Sequence, residues 1–99
     1  MNIIKNKIDK ELTIALEGRL DTTTAPQLED ALAAELSGVT KLIFDFAKLE
    51  YISSAGLRVL LSAQKSMNKQ EGIMIVKNTN EEIKEIFEVT GFVDILTIE

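Results

Sequence analysis

The sequence predicts a single α/β domain over residues 1–99, built on a mixed, mainly parallel sheet of about five strands. Three observations predict this fold class. Strand patterns alternate with helical patterns along most of the chain, the connections between them are short, and no internal repeat or linker-like tract divides the chain. An antiparallel strand is expected at the N-terminus, because the first two strand patterns follow each other without a helix between them.

The strand patterns are of two kinds. "NIIKNKI" and "ELTIALEGRL" predict an opening hairpin that turns at Asp9 and Lys10, since Leu12, Ile14 and Leu16 alternate with more polar neighbours. "KLIFDF" and "GIMIVK" are apolar at nearly every position, which is typical of strands covered on both faces or central in a sheet with helical crossovers. The run "VDILTIE" predicts the last strand.

Three helical patterns lie between these strands, and each has one apolar stripe that would face a core. Pro26 stands where the first helix is expected to begin. Thr24 with Gln27, and Thr79 with Glu82, each match a capping box. Glycines at the ends of the three patterns are the expected stops: Gly38, Gly72 and Gly91.

Composition excludes several classes of function. The formal charge is −5 and no basic block stands out, so nucleic acid is not an expected partner. The absence of cysteine and histidine excludes disulfides, thiolate chemistry, thiolate or imidazole metal ligands and the commonest general base. No apolar run is long enough to span a bilayer, so we expect a cytoplasmic protein without membrane insertion.

Motifs that carry catalysis are missing, and we assign no catalytic residue, metal site or cofactor. A nucleophilic Ser53 or Ser54 would lack both a histidine and the G-x-S-x-G elbow. Asp45 would end a strand as the phospho-accepting aspartate of a receiver domain does, but no acidic pair follows the first strand to hold magnesium. We therefore interpret Asp45 as a loop-capping or solvated carboxylate. Neither glycine-rich phosphate-binding motif is present.

The segment "YISSAGLRVLL", residues 51–61, carries the one unusual feature, because a well-patterned helix opens with very small residues. In one interpretation, Ser53 or Ser54 caps the helix and the next two residues fit a tight turn. In the other, the small residues leave a serine open to another protein, since glycine in a first turn costs about 1 kcal/mol relative to alanine. The pattern alone leaves both interpretations open.

A family resemblance rests on the same segment. "FAKLEYISSAGLRVLL" resembles the central motif of the STAS domain, in particular that of the small anti-sigma factor antagonists of bacteria. "IALEGRLDTTTAPQLEDAL" resembles the strand, Gly-x-Leu-Asp loop and first helix of that family, and "NEEIKEIFEVTGFVDILTIE" resembles its final helix and strand. The resemblance therefore extends over nearly the whole chain.

The resemblance implies a partner-switching regulator that is not itself an enzyme. Its unphosphorylated form would bind an anti-sigma factor, which is also a serine kinase, and would thereby free a sigma factor for transcription in a stress response. A PP2C-type phosphatase would reverse the modification. The motif places the phosphorylation on Ser54, with Ser53 as the less favoured acceptor. The positions implied in recognition of the partner and kinase are Asp21, Ser53, Ala55, Gly56, Leu57 and Arg58.

Two positions depart from the family pattern. Ser53 stands where many members have aspartate, which leaves either serine as an acceptor and removes a negative charge. Arg58 stands where many have glycine, and four residues along a helix it is expected to approach a phosphate on Ser54. The alternative function is a STAS scaffold subunit of a stress-sensing or transporter complex, in which both serines only cap the helix.

Overall fold

The computed structural model describes all residues from 1 to 99. Five strands form one sheet in the order β1-β2-β3-β4-β5, with β1 antiparallel to β2 and all other neighbours parallel. The predicted mixed sheet with an N-terminal antiparallel strand is thus confirmed. The elements are β1 (Asn2–Ile8), β2 (Glu11–Leu20), α1 (Ala25–Glu35), β3 (Lys41–Ile52), α2 (Ser54–Lys69), β4 (Ile73–Lys77), α3 (Glu81–Thr90), a 3-10 turn (Phe92–Asp94) and β5 (Thr97–Ile98).

The order of the strands in the sheet is the same as their order in the chain. Each of the three crossovers therefore steps to the next strand in the same direction, and right-handed crossovers of this kind place all three helices on one face of the sheet. The buried strand residues point to this face: Leu12, Ile14, Leu16, Leu20, Leu42, Phe44, Phe46, Leu49, Ile52, Met74 and Val76. The core of 24 residues lies between the sheet and the helices.

The opposite side of the sheet, called here the open face, has no helix over it. Its apolar side chains alternate with the buried ones along the strands and are partly or largely exposed: Ile4, Ile8, Ala15, Ile43, Ile73 and Ile75. Of the two arrangements that the continuous apolar runs predicted, the central position of β3 is confirmed. Cover on both faces is wrong, because a sheet wound in one direction receives helices on one face only.

The opening hairpin is confirmed, with Asp9 at its turn in the left-handed conformation (φ 55°) that aspartate tolerates. The last strand is shorter than predicted. Only Thr97–Ile98 pairs with β4, because the residues before it form the 3-10 turn Phe92–Asp94 after Gly91 ends α3 at φ 80°. None of the helices combines the length and the hydropathy needed to span a bilayer.

Both predicted capping boxes are wrong. Thr24 precedes α1 in a helical conformation, and its hydroxyl donates to the carbonyl of Arg19 (2.8 Å) instead of capping the helix. The cap of α3 is Asn80, whose side-chain oxygen accepts from the amide of Ile83 at 2.8 Å. The Thr79 hydroxyl is buried without a partner. Only at α3 does a neighbouring residue take the role that the pattern gave to threonine, since α1 has no side-chain cap.

Candidate functional site

The N-terminus of α2 is fixed by the ends of two parallel strands. Leu20 and Ile52 are paired at the ends of β2 and β3, and the amide of Ser53 donates to the carbonyl of Leu20 (2.9 Å). Ser53 is extended (φ −97°, ψ 176°), and its carbonyl accepts the first helical bond from Leu57 (2.9 Å). Its hydroxyl accepts from the amide of Gly56 at 3.4 Å. Ser53 is therefore the N-cap of α2.

Ser54 is the first residue of α2 and is exposed. Its hydroxyl forms no hydrogen bond within the chain, whereas the hydroxyl of Ser53 is engaged in the cap. The first turn contains no acidic residue, so no carboxylate of the helix itself compensates its free amides and the positive end of its dipole. The structure thus separates two serines that the sequence pattern left equivalent.

Gly56 explains the small residues at the start of this helix. A Cβ atom at this position would lie 2.7 Å from Cγ of Leu20 and 2.8 Å from Cγ1 of Ile52. The glycine is buried and lets the helix approach the ends of β2 and β3, so its role is close packing and it does not uncover the backbone. Leu57 is buried beside it and Ala55 is half-buried. These three residues fix the position of Ser54 and offer little surface of their own.

Asp21 lies in the loop after β2, directly beyond the Leu20 carbonyl that holds Ser53. Its Oδ1 accepts from the amides of Thr23 (3.0 Å) and Thr24 (3.2 Å) and from the Thr24 hydroxyl (3.3 Å). The bond from the Thr24 amide lowers the pKa of Asp21 most. The Thr23 amide and the charge of Arg19 act in the same direction, against a smaller effect of desolvation. Asp21 is therefore a fixed, ionised carboxylate beside the start of α2.

Arg19 and Tyr51 complete this corner of the molecule, although the sequence patterns did not single them out. They are neighbours in the parallel pairing of β2 and β3, and the Arg19 guanidinium lies over the Tyr51 ring at 4.3 Å from its centroid. The Arg19 Nε atom lies 3.7 Å from Oδ2 of Asp21. Arg19 and Tyr51 meet because of the register in which β2 and β3 pair, and the sequence patterns do not specify this register.

Arg58 is exposed one turn after Ser54, on the same side of α2. It forms no ion pair within the chain and lines an open groove of about 590 Å³ between α1 and α2, with Glu29 among the lining residues from α1. Its guanidinium is thus free to pair with a group added at the start of the helix. Of the predicted site residues, Asp21, Ser53, Ser54 and Arg58 form the accessible part of one corner.

Asp45 lies outside this corner. Its Oδ1 accepts from Nδ2 of Asn78 (2.9 Å) and from the amide of Ala47 (3.0 Å). The Asn78 bond is the largest cause of a lowered pKa for Asp45, desolvation opposes it, and the Ala47 amide and the charge of Lys77 lower the pKa further. The interpretation of Asp45 as a loop-capping carboxylate is wrong in its position, because β3 continues to Ile52 and Asp45 lies within it. Its carboxylate instead holds a backbone amide where the pairing of β2 and β3 is irregular.

Fold and site together define a small α/β domain that presents the serine-rich start of one helix at the ends of two parallel strands. The family model of the STAS domain matches residues 2–99. BtrV of Bordetella bronchiseptica, provisionally named an anti-sigma factor antagonist, is 35% identical over 99 residues, which cover 99% of this chain and 85% of BtrV. The anti-sigma-B factor antagonist of Listeria monocytogenes is 29% identical over 103 residues, covering 100% of this chain and 90% of the relative.

Solved structures agree with this match at the level of the fold. SpoIIAA of Bacillus, an anti-sigma factor antagonist, superposes with a TM-score of 0.79 in its unphosphorylated form (18% identity, 99% of this chain and 87% of that chain). The score is 0.78 for its phosphorylated form (19% identity, 99% and 91%). The chain therefore belongs to the STAS domain family, and within it to the anti-sigma factor antagonists. These are regulatory proteins without an enzymatic activity.

Proposed function

We propose that this protein is a phosphorylation-controlled partner switch, with residues 1–99 acting as one domain in the cytoplasm. In its unphosphorylated form it binds an anti-sigma factor and frees a sigma factor for transcription. The anti-sigma factor is a serine kinase that phosphorylates Ser54, and a PP2C-type phosphatase removes the phosphate. The relatives named as anti-sigma factor antagonists, one of which is known in a phosphorylated and an unphosphorylated form, support the partner and the modification.

One observation supports Ser54 as the acceptor in preference to Ser53. The Ser53 hydroxyl accepts from the amide of Gly56 as the helix cap, and the Ser53 amide and carbonyl also form hydrogen bonds. A kinase would therefore reach this hydroxyl only if the first turn of α2 opened. The Ser54 hydroxyl is exposed and unpaired within the chain. A kinase can therefore reach it without any change in the fold.

The same geometry supports survival of the fold after phosphorylation. A phosphate adds about −1.5 to −2 charges. At the first turn of α2 it meets free amides, the positive end of the helix dipole and no acidic neighbour within the turn. Arg58, one turn further along, has no competing ion pair. The modification is thus expected to leave the domain folded.

The same charge is expected to weaken binding of the partner, although it leaves the domain folded. A phosphate buried and unpaired against a partner that fits the neutral serine costs about 3 to 5 kcal/mol. At about 1.4 kcal/mol per decade, this lowers affinity by a factor of hundreds to thousands. Asp21, held ionised beside the start of the helix, is proposed as a fixed feature that the kinase reads. Ser53, Ala55, Gly56 and Leu57 are proposed to act mainly by holding Ser54 in place.

Intact-mass and fragment-ion analysis tests the proposal on protein isolated from its native cells, with and without stress. One added phosphoryl group on Ser54, with an occupancy that changes between conditions, is the expected result. Ser54→Ala should abolish the modification, whereas Ser53→Ala and the control Ser62→Ala, an exposed serine on the same helix, should retain it. Unmodified serines in every condition, including incubation with ATP and cell extract, would instead favour the scaffold function, in which Ser53 is only a cap.

A further inference from the structure

The open face of the sheet has an apolar centre that no other element of the chain covers. Ile43 and Ile75 are direct neighbours at its centre, on β3 and β4. Around them, Ile4, Ile8 and Ile73 are 51%, 63% and 54% exposed. Parallel sheets are found almost only with both faces covered, because their strands are apolar on both sides. In this chain the helices cover one face, and five isoleucines are left on the other.

Two strands of the open face have matching side chains at positions symmetric about their centres: opposite charges on β3 and two isoleucines on β1. On β3, Lys41 and Asp45 lie two residues before and two residues after Ile43. On β1, Ile4 and Ile8 lie symmetrically about Asn6 in the same way. When two copies of such a strand lie over each other in opposite directions, Lys41 of each copy lies opposite Asp45 of the other. Ile4 of each copy then lies opposite Ile8 of the other.

We propose that the open face binds the open face of a second copy of this chain. The two copies are related by a two-fold axis, with β3 of one crossing over β3 of the other in the opposite direction at Ile43. This isologous contact brings the central isoleucines of both copies together and forms two Lys41–Asp45 pairs. The sheets are separated by about 10 Å, as in other stacked sheets, which side chains of this size fill.

The charge of the open face favours a second copy as its occupant. Its strands β1 to β4 carry three acidic and four basic side chains, so the formal charge of the face is only +1: Glu11, Glu17, Asp45, Arg19, Lys41, Lys48 and Lys77. The whole chain has a formal charge of −5, so its net negative charge lies elsewhere. A strongly charged partner finds no strong complementary field on this face, whereas a second copy meets only a weak net repulsion there, which the Lys41–Asp45 pairs oppose.

The size of the face sets the strength of the contact. Four strands at about 4.8 Å spacing and about seven residues at about 3.3 Å give roughly 400 to 500 Å² of flat area per copy. A standard stable interface buries about 800 Å² per partner. We therefore expect a weak, concentration-dependent dimer. Because the face lies on the other side of the sheet from α2, this association is independent of the phosphorylation proposed for Ser54.

Sedimentation velocity over a concentration range of about 10 µM to 1 mM tests this proposal. The expected result is a sedimentation coefficient that rises from the monomer value towards the dimer value. Ile43→Lys places like charges opposite each other on the axis and should raise the dimer dissociation constant at least about tenfold. The control Val89→Lys, at a 77% exposed position on α3, should leave it unchanged. A monomer at every concentration, or a dimer that tolerates Ile43→Lys, would overturn the proposal.

A charge exchange tests the orientation of the two copies. Lys41→Glu and Asp45→Lys should each weaken self-association, because like charges then meet twice across the axis. An equimolar mixture of the two variants should associate more strongly than either alone, since opposite charges face each other again in the mixed dimer. Circular dichroism of each variant verifies the fold before mixing. No gain on mixing would show that the strands do not cross in the proposed way.

Discussion

The starts of α2 and α3 differ in their caps and in the charge of their first turns. Asn80 caps α3 with a bond of 2.8 Å, and Glu81 and Glu82 follow in the first turn, where carboxylates complement the helix dipole. Ser53 caps α2 with a bond of 3.4 Å, and no acidic residue follows. The start of α3 already carries the negative charge that stabilises a helix, whereas the first turn of α2 has none and would be stabilised by the phosphate proposed for Ser54.

Adding a charge to the start of α2 should have the largest effect, and it acts on binding. Ser54→Asp should reduce affinity for the anti-sigma factor recovered from native cells by a factor of tens to hundreds, because the charge is buried in the complex. Calorimetric titration measures this change. The same variant should gain about 0.3 to 1 kcal/mol in folding stability from the dipole. Ser54→Ala should bind like the unmodified protein. Equal affinity of both variants would exclude a charge switch at this position.

Crowding at Gly56 is the next largest effect, and it has no counterpart at the start of α3. Gly56→Ala brings a methyl group within 3 Å of Leu20 and Ile52 and should cost about 1 to 3 kcal/mol, partly offset by about 1 kcal/mol of helix propensity. Urea denaturation measures the balance. Gly91→Ala provides the contrast, since open space surrounds that position and only its left-handed backbone (φ 80°) is strained. If Gly56→Ala proved more stable than the parent protein, close packing would not explain this glycine.

Replacing each cap residue with alanine compares directly how much the two caps contribute to folding stability. Asn80→Ala should cost about 1 to 2 kcal/mol, because it removes a short cap bond and a second bond to the Leu49 carbonyl (3.1 Å). Ser53→Ala should cost about 0.5 kcal/mol, since its cap bond is long. Both values follow from thermal denaturation of the single variants. A larger loss for Ser53→Ala would mean that the start of α2 is held as firmly as that of α3.

The same comparison shows what the sequence could and could not predict. The spacing of the apolar residues and the residues between the patterns were sufficient to predict the sheet, its antiparallel first strand and the three helices, because each of these depends on local sequence. The caps were predicted wrongly at Thr24 and Thr79, because the Thr24 hydroxyl is engaged with the Arg19 carbonyl and α3 begins one residue later than the pattern placed it, with Asn80 as its cap. The family motif already favoured Ser54 as the acceptor, but the assignment of Ser53 as the cap of α2 required the hydrogen bonds themselves. The reason for Gly56 required the packing of two distant strands against one helix turn.

The smallest expected effect concerns the pH dependence of the loop beside α2. Hydrogen bonds from Thr24 and Thr23 hold the pKa of Asp21 below its usual value of 3.8. Since the pKa is lower in the folded protein than in the unfolded chain, the stability contributed by Asp21 is present above pH 3.8 and is lost as the pH falls through the folded value. Asp21→Asn should therefore make stability less dependent on pH in the acid range, with little change at neutral pH. Denaturation curves between pH 2 and 7 measure this. An unchanged acid slope in the variant would mean that the three bonds to Asp21 do not distinguish the charged from the neutral carboxyl, and that the loop presents no fixed charge beside Ser54.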